Sequence, residues 1–142
     1  MLEHVNINSS VAVYVQIENQ VRFGIASGNL KAGDKLPSVL ELSERLNLNP
    51  NTVAKAYRDL EVMGLVYTRR GMGVFINKGI EAKCREAARG DITRKLFESV
   101  SEAKAAGMTL KETKQVMEAS YASGATPYEV KEGASRPRAK RK

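Results

Sequence analysis

The sequence holds one cysteine, one histidine and no tryptophan, and these shortages exclude several classes of protein. The lone Cys84 cannot form an intramolecular disulfide, which excludes a small scaffold held together by disulfides. The lone His4 has no companion for a metal site or a catalytic triad. An aromatic content of 6% argues against a large aromatic-lined ligand pocket. We therefore expect no enzyme activity, no metal and no cofactor.

Long apolar segments are missing too. The sequence contains no run of about 18 apolar residues, so we expect no membrane span. Residues 1–10 lack the basic and apolar regions of a secretion signal. Together with the single cysteine, these features predict a cytoplasmic protein.

Positive charge is abundant, with a net value of +7, and it is concentrated in two segments. Residues 51–78 carry five basic and two acidic side chains, and residues 127–142 carry six and two. A concentrated basic patch is the electrostatic footprint of a polyanion partner. An even spread would instead indicate solvated surface lysines.

The first predicted element is an amphipathic helix. Val13, Ile17, Val21 and Ile25 recur every four residues, which is the apolar stripe of a helix. Gly28 is expected to end this helix. Its start is expected to be capped by Ser9 or Ser10.

Residues 36–77 have the pattern of two short helices, a tight break and a hairpin. Ser38 and Glu41 form a capping box for a helix over about 38–45, and Asn49 with Pro50 opens a second helix over 51–63. Two strand-like runs, 65–69 and 74–76, flank a glycine-containing turn. The pattern predicts a mainly α fold with a small β-hairpin, the winged helix-turn-helix, which places one helix in the DNA major groove.

The start of the second helix and the tip of the hairpin carry side chains suited to DNA. Asparagine can bond adenine through two hydrogen bonds, threonine can touch thymine, and lysine and arginine suit phosphates. Ser38 and Asn49 have a competing interpretation as helix caps only, and Thr52 as a filler of the first turn. Tyr57 is predicted to face the core, with its hydroxyl directed at a phosphate. The candidate DNA-binding residues are Ser38, Asn49, Asn51, Thr52, Lys55, Arg58, Arg69, Arg70, Gly71 and Gly73.

The rest of the chain is predicted to be helical and then disordered. Residues 80–106 are compatible with a helix that is interrupted near Gly90 and Asp91. Thr109 and Glu112 form a capping box for a further helix to about Ala122. Residues 124–142 are rich in proline, glycine, serine and basic residues, which predicts a disordered basic tail.

Four stretches, 14–17, 25–38, 49–65 and 68–76, resemble the DNA-binding domain of GntR-type transcription factors. They include the run Asn49-Pro50-Asn51-Thr52-Val53 and the wing Arg69-Arg70-Gly71-Met72-Gly73, and the resemblance covers about residues 11–77. It implies a homodimer that binds a palindromic operator, often as a repressor. Leu40 stands where family members usually have an arginine that touches DNA, and Val74 stands where they often have threonine. The DNA contacts that the resemblance implies are Ser38, Asn51, Thr52, Lys55, Arg70 and Gly71.

The region after residue 78 is short for this family and is similar to that of the YtrA subfamily. Two helices cannot enclose a sizeable pocket, so we expect their apolar stripes to pair with a second copy; the alternative is that they pack back on the winged domain. The sequence identifies no small-molecule effector. The predicted organisation is a DNA-binding domain over 11–78, a dimerisation region over 79–123 and a tail over 124–142. The candidate dimerisation residues are Ile92, Leu96, Val100, Leu110, Val116 and Met117.

Two other functions fit the same features. A non-specific architectural protein would bind all duplexes equally through the wing and the tail, and would lose binding without residues 127–142. A winged-helix protein-interaction module would bind no DNA. A sequence-specific regulator, which we favour, would prefer its operator to random DNA by a large ratio.

Overall fold

A computed structural model describes residues 2–129, which form five helices and one two-stranded antiparallel sheet. Three helices and the hairpin come first, in the order of a winged helix-turn-helix, and two helices follow. The elements are α1 Val13–Ser27, α2 Val39–Leu46, α3 Pro50–Val62, β1 Val66–Arg69, β2 Gly73–Ile76, α4 Glu81–Ala105 and α5 Leu110–Ala122.

Helix α1 lies at the centre of the core and packs against both α3 and α4. Ile17, Val21 and Ile25 are fully buried, as their four-residue spacing predicts. Gly28 ends the helix with a φ of 84°, a left-handed conformation that glycine adopts without steric cost.

The start of α1 differs from the sequence prediction. A cap at Ser9 or Ser10 is wrong, because Ala12 occupies the cap position and makes no side-chain hydrogen bond. The Ser9 hydroxyl accepts a hydrogen bond from the Val11 amide at 3.1 Å instead. The serine is therefore used in the turn that precedes the helix.

Helices α2 and α3 meet across a tight turn, as predicted. The Ser38 hydroxyl caps α2, and Asn47 ends that helix with a φ of 53°, which asparagine tolerates better than most residues. Asn49 caps α3, whose first residue is Pro50. The residues that pack the two helices into the core are Leu42, Val53, Ala56, Tyr57 and Leu60.

Strands β1 and β2 form the wing, and the segment before α2 holds it in place. The strands pair antiparallel with Tyr67 opposite Phe75, and those two rings stack with centroids 5.6 Å apart. The Leu36 amide donates to the Val74 carbonyl at 2.9 Å, and the Ile76 amide donates to the carbonyl of residue 34 at 2.9 Å. These bonds tie the wing to the connection between α1 and α2.

Helix α4 runs unbroken from Glu81 to Ala105, so the predicted interruption near Gly90 and Asp91 is wrong. A glycine inside a helix costs only about 1 kcal/mol relative to alanine. Asp91 also forms an ion pair with Arg94 at 3.6 Å, one turn further along the helix. Cys84 is buried against the core near the start of the helix.

Helix α5 begins at the predicted capping box. The Glu112 amide donates to the Thr109 hydroxyl at 3.1 Å, and the Thr109 amide donates to the Glu112 carboxylate at 3.1 Å. The apolar residues of α5 are exposed, and so are those in the second half of α4. The large apolar side chains among them are not part of the buried core of the described residues.

The described part of the predicted tail, residues 124–129, returns to the winged domain. The Asn19 side-chain amide donates a hydrogen bond to the Tyr128 hydroxyl at 2.9 Å. Residues 130–142, the rest of the predicted tail, lie outside the described residues. None of the helices found in residues 2–129 is both long and apolar enough to cross a membrane.

Leu60 provides a test of the core. Leu60→Ala should lower the free energy of unfolding by about 2–5 kcal/mol, because it removes a fully buried side chain and leaves a cavity. Val62→Ala, on the same helix but 89% exposed, should change it by less than about 0.5 kcal/mol. Denaturant unfolding followed by circular dichroism measures both values, and equal losses would contradict the packing.

Candidate nucleic-acid interface

The polar face of α3 is exposed. Asn51, Lys55 and Arg58 follow the spacing of one helix face and are all exposed, while Thr52 beside them is half-buried. The opposite face carries the buried core residues. Burial of one side of α3 therefore presents these polar side chains to the surroundings as one surface.

Two of the predicted contact residues are also helix caps. The Asn51 amide donates to the Asn49 side-chain oxygen at 2.9 Å, and the Glu41 amide donates to the Ser38 hydroxyl at 3.0 Å. Both cap residues are exposed. The capping role is thus established, and their contact with DNA stays a prediction.

The wing tip is a turn with two exposed arginines. Arg69 and Arg70 are exposed, and the Met72 amide donates to the Arg69 carbonyl at 2.9 Å to close the turn. Gly71 occupies this turn with a φ of 77°. The turn places both arginine residues at the end of the hairpin, where their exposed side chains can approach an anion.

Gly73 has a structural reason to be glycine. Its φ is 125°, and a Cβ built on it would lie 2.7 Å from Lys35 Cε. It is half-buried, unlike Gly71. The positive φ accounts for this glycine without any contact to DNA, because other residues rarely adopt it, so its role in binding stays a prediction.

Tyr57 faces the core as predicted, and its hydroxyl bonds within the protein instead of standing exposed for a phosphate. The hydroxyl donates a hydrogen bond to the Pro37 carbonyl at 2.7 Å, and the residue is 5% exposed. Burial raises the pKa of the phenol well above its ordinary value. Tyr57 therefore ties α3 to the segment that leads into α2.

Lys55 makes two contacts within the protein that the sequence did not predict. Its Nζ lies 3.3 Å from Asp59 Oδ2 and 4.6 Å from the centroid of the Tyr14 ring. The pairing with Asp59 has the four-residue spacing of a helical ion pair, which is a signal visible in the sequence. The contact with Tyr14 depends on how α1 and α3 pack.

Glu18 lies at the same junction and is almost fully buried, with 6% exposure. Its Oε1 atom has no hydrogen-bond donor among the described residues. Burial, followed by the hydrogen bond to Asp59 and the negative charge of that carboxylate, raises the pKa of Glu18 to about 7. The same hydrogen bond lowers the pKa of Asp59. We call Tyr14, Glu18, Lys55 and Asp59 the seam cluster.

Leu40 projects from the first turn of α2 and is 61% exposed. An exposed leucine at this position offers an apolar surface beside the Ser38 cap. It cannot supply the charged hydrogen bonds of an arginine.

The chain matches known proteins over the whole of this region. Residues 13–76 match the family described as bacterial regulatory proteins, gntR family. The chain is 39% identical over 102 residues to the HTH-type transcriptional repressor YtrA of Bacillus subtilis, which covers 72% of this chain and 78% of that protein. It is 37% identical over 105 residues to the uncharacterized HTH-type transcriptional regulator YhcF of the same organism, covering 73% and 85%.

Solved structures of similar sequence share the fold. A GntR family transcriptional regulator from Listeria monocytogenes superposes with a TM-score of 0.59 at 32% identity, covering 78% of this chain and 96% of that one. YtrA from Sulfolobus acidocaldarius, a GntR-family transcription factor, gives 0.53 at 33% identity, covering 68% and 99%. Both alignments extend beyond residues 13–76, so the similarity includes part of the helical region.

Asn49 allows the capping role to be measured separately. Asn49→Ala should lower the free energy of unfolding by about 0.5–2 kcal/mol, because the Asn51 amide loses its acceptor. Asn49→Ser keeps an acceptor and should stay close to the parent protein. Thermal and denaturant unfolding of the three proteins would check this, and a stable alanine variant would contradict the cap.

Proposed function

The chain belongs to the GntR family of bacterial regulatory proteins, and from this membership we propose that it is a homodimeric repressor of a palindromic operator. Proteins of this family are DNA-binding transcriptional regulators and not enzymes, and this chain is one of them. The proposal concerns the residues that contact DNA, the dimer and the direction of regulation.

The exposed polar face of α3 is the single observation that carries the proposal. We assign base contacts to Asn51 and Thr52, near the start of the helix, because helices of this fold contact base edges from their first turns. Lys55 and Arg58 follow on the same face and are suited to phosphates. This assignment makes α3 the recognition helix.

The remaining assigned contacts surround the recognition helix. Arg69, Arg70 and Gly71 form the tip of the wing, where the exposed arginines can reach the DNA backbone or the minor groove. The Arg69 guanidinium also lies 6.0 Å from the centroid of the Tyr67 ring. Ser38 and Asn49 stand at helix N-termini, where free amides and the helix dipole favour a phosphate. Gly73 is assigned only a supporting role, because its φ of 125° explains the glycine without a contact to DNA.

A second copy of the chain is the proposed cover for the apolar residues of α4 and α5. Six of these residues are 40% to 71% exposed, and burial in a dimer would remove each of them from water at a gain of about 1–3 kcal/mol. A two-fold dimer presents two equivalent recognition helices, which is why a palindromic operator fits it. The six residues are Ile92, Leu96, Val100, Leu110, Val116 and Met117.

Repression is proposed from the relative that carries that description. The Bacillus subtilis protein YtrA, 39% identical, is named a transcriptional repressor. Selection of bound sequences from a random duplex pool would test the proposal, with an inverted repeat expected. Equal retention of all sequences would favour a non-specific architectural protein, and no retention at low salt would favour a protein-interaction module.

Two substitutions should have different effects on DNA binding. Asn51→Ala should reduce discrimination at one base position by about 1–3 kcal/mol, since a base contact is lost. Arg70→Ala should weaken binding to the operator and to random duplexes alike, and should lower the salt slope by about one. Fluorescence anisotropy titrations with both duplexes over a series of salt concentrations measure these quantities.

Lys104→Ala is a matched control, because it removes an exposed positive charge near the end of α4. It should leave both affinities unchanged. If Asn51→Ala and Arg70→Ala also bind like the parent protein, the assignment of the contact residues is wrong.

The dimer is tested by placing a charge in the proposed interface. Leu96→Asp should convert the dimer to a monomer at micromolar concentration, because a buried unpaired carboxylate is costly. Lys95→Asp places the same side chain one residue away, outside the apolar stripe, and should stay dimeric. Size-exclusion chromatography with light scattering gives the masses, and a monomeric parent protein would refute the dimer.

A further inference from the structure

The seam cluster contains a carboxyl group that the DNA contacts proposed above do not use. The Glu18 side chain is 8% exposed, and its Oε2 atom lies 4.0 Å from Arg22 Nη2. Its Oε1 atom meets no donor among the described residues. The Asp59 carboxylate lies close enough to Glu18 to raise the pKa of the buried carboxyl group. Two ionised carboxylates in this position would repel each other, and one of them would be desolvated.

A single proton resolves this conflict. When Glu18 holds it, the carboxyl group donates a hydrogen bond to Asp59, and the pair carries one negative charge instead of two. Desolvation and the neighbouring Asp59 raise the pKa of Glu18 to about 7, while the pKa of Asp59 is lowered. We therefore place the proton on Glu18, and we expect it to leave for solvent as the pH rises through neutrality.

The surrounding charges are few. On α1, Arg22 faces Glu18; on α3, Lys55 faces both acids, and Arg58 lies close enough to Asp59 to lower its pKa. The third neighbour, α4, brings Cys84 close to Arg22.

Lys55 connects the acid pair to the DNA-binding face. Its ammonium group is held between the Asp59 carboxylate at 3.3 Å and the Tyr14 ring at 4.6 Å, and its side chain is 47% exposed. The Lys55 ammonium group therefore contacts the protein on one side and is exposed to solvent on the other. A second negative charge in the seam cluster would hold the Lys55 ammonium group more strongly to the protein and would repel a DNA phosphate.

We propose that Glu18 and Asp59 are positioning residues for Lys55. The proton that the two acids share determines how readily the Lys55 ammonium group contacts a phosphate of the DNA backbone. With the proton in place, one carboxylate and the Tyr14 ring orient Lys55 toward a phosphate. After the proton leaves for solvent, two carboxylates hold Lys55 on the protein, and DNA affinity falls. This inference rests on the proposed DNA-binding role of α3.

The test compares the parent protein with Glu18→Gln, which keeps the shape and a hydrogen-bond donor but cannot ionise. Operator affinity of the parent should fall about 3- to 10-fold between pH 6 and pH 8.5, the size expected for one added charge near a screened surface. Glu18→Gln should show no such fall, and should bind at pH 8.5 as the parent binds at pH 6. Anisotropy titrations with the selected operator duplex measure this.

Two controls and a second variant separate this effect from general ones. Glu86→Gln removes an exposed carboxylate on α4, and His4→Gln removes the only histidine, so both should keep the pH dependence of the parent. Lys55→Met should remove the pH dependence even with Glu18 intact. Persistence of the dependence in Glu18→Gln or in Lys55→Met would overturn the proposal.

Stability provides a readout that does not involve DNA. Because the folded pKa of Glu18 is raised above its ordinary value of 4.5 to about 7, the parent should lose stability as the pH rises from about 4.5 through 7. Glu18→Gln should not show this loss. If the parent protein loses stability with rising pH as described but no operator is found, the proposed function fails. If an operator is found but is bound with equal affinity at every pH, only the positioning role of Glu18 and Asp59 fails.

Discussion

The packing of α1 against α3 is the constraint on which the remaining structure depends. Ile17 and Val21 of α1 and Val53 and Leu60 of α3 are fully buried, and each contributes about 1.5–3 kcal/mol by leaving water. A helix that buries one face must expose the opposite one. The buried apolar residues between α1 and α3, which make no contact with DNA themselves, therefore determine the direction in which the polar face of α3 is exposed.

Features that depend on neighbouring residues were predictable from the sequence. The spacing of apolar residues gave the helices, and the caps at Ser38, Asn49 and Thr109 follow from local patterns. The two wrong predictions, the cap at Ser9 and the break near Gly90, failed because another local effect outweighed the expected one. Ser9 is a good cap type but is used in a turn, and the glycine at position 90 costs too little to break a helix stabilised over many residues.

The contacts that the sequence could not predict join distant segments. The exposed polar face of α3 follows from periodicity alone, whereas the Tyr57 bond to Pro37 and the Tyr14 contact with Lys55 depend on the packing of two elements. The burial of Glu18 is the clearest case. A glutamate among apolar helix residues is usually exposed, and only the position of α3 explains why this one is not.

The unbroken course of α4 bears on the proposed dimer and on its proposed binding to two half-sites of an operator. Two recognition helices on a palindrome must stand about 34 Å apart, one turn of DNA. Helix α4, with 25 residues, spans roughly 37 Å and packs against α1, which in turn holds α3. A kink at Gly90 would let the apolar second half of α4 pivot relative to the winged domain. A continuous helix would instead transmit the geometry of the proposed dimer interface, through α1, to α3, the proposed recognition helix.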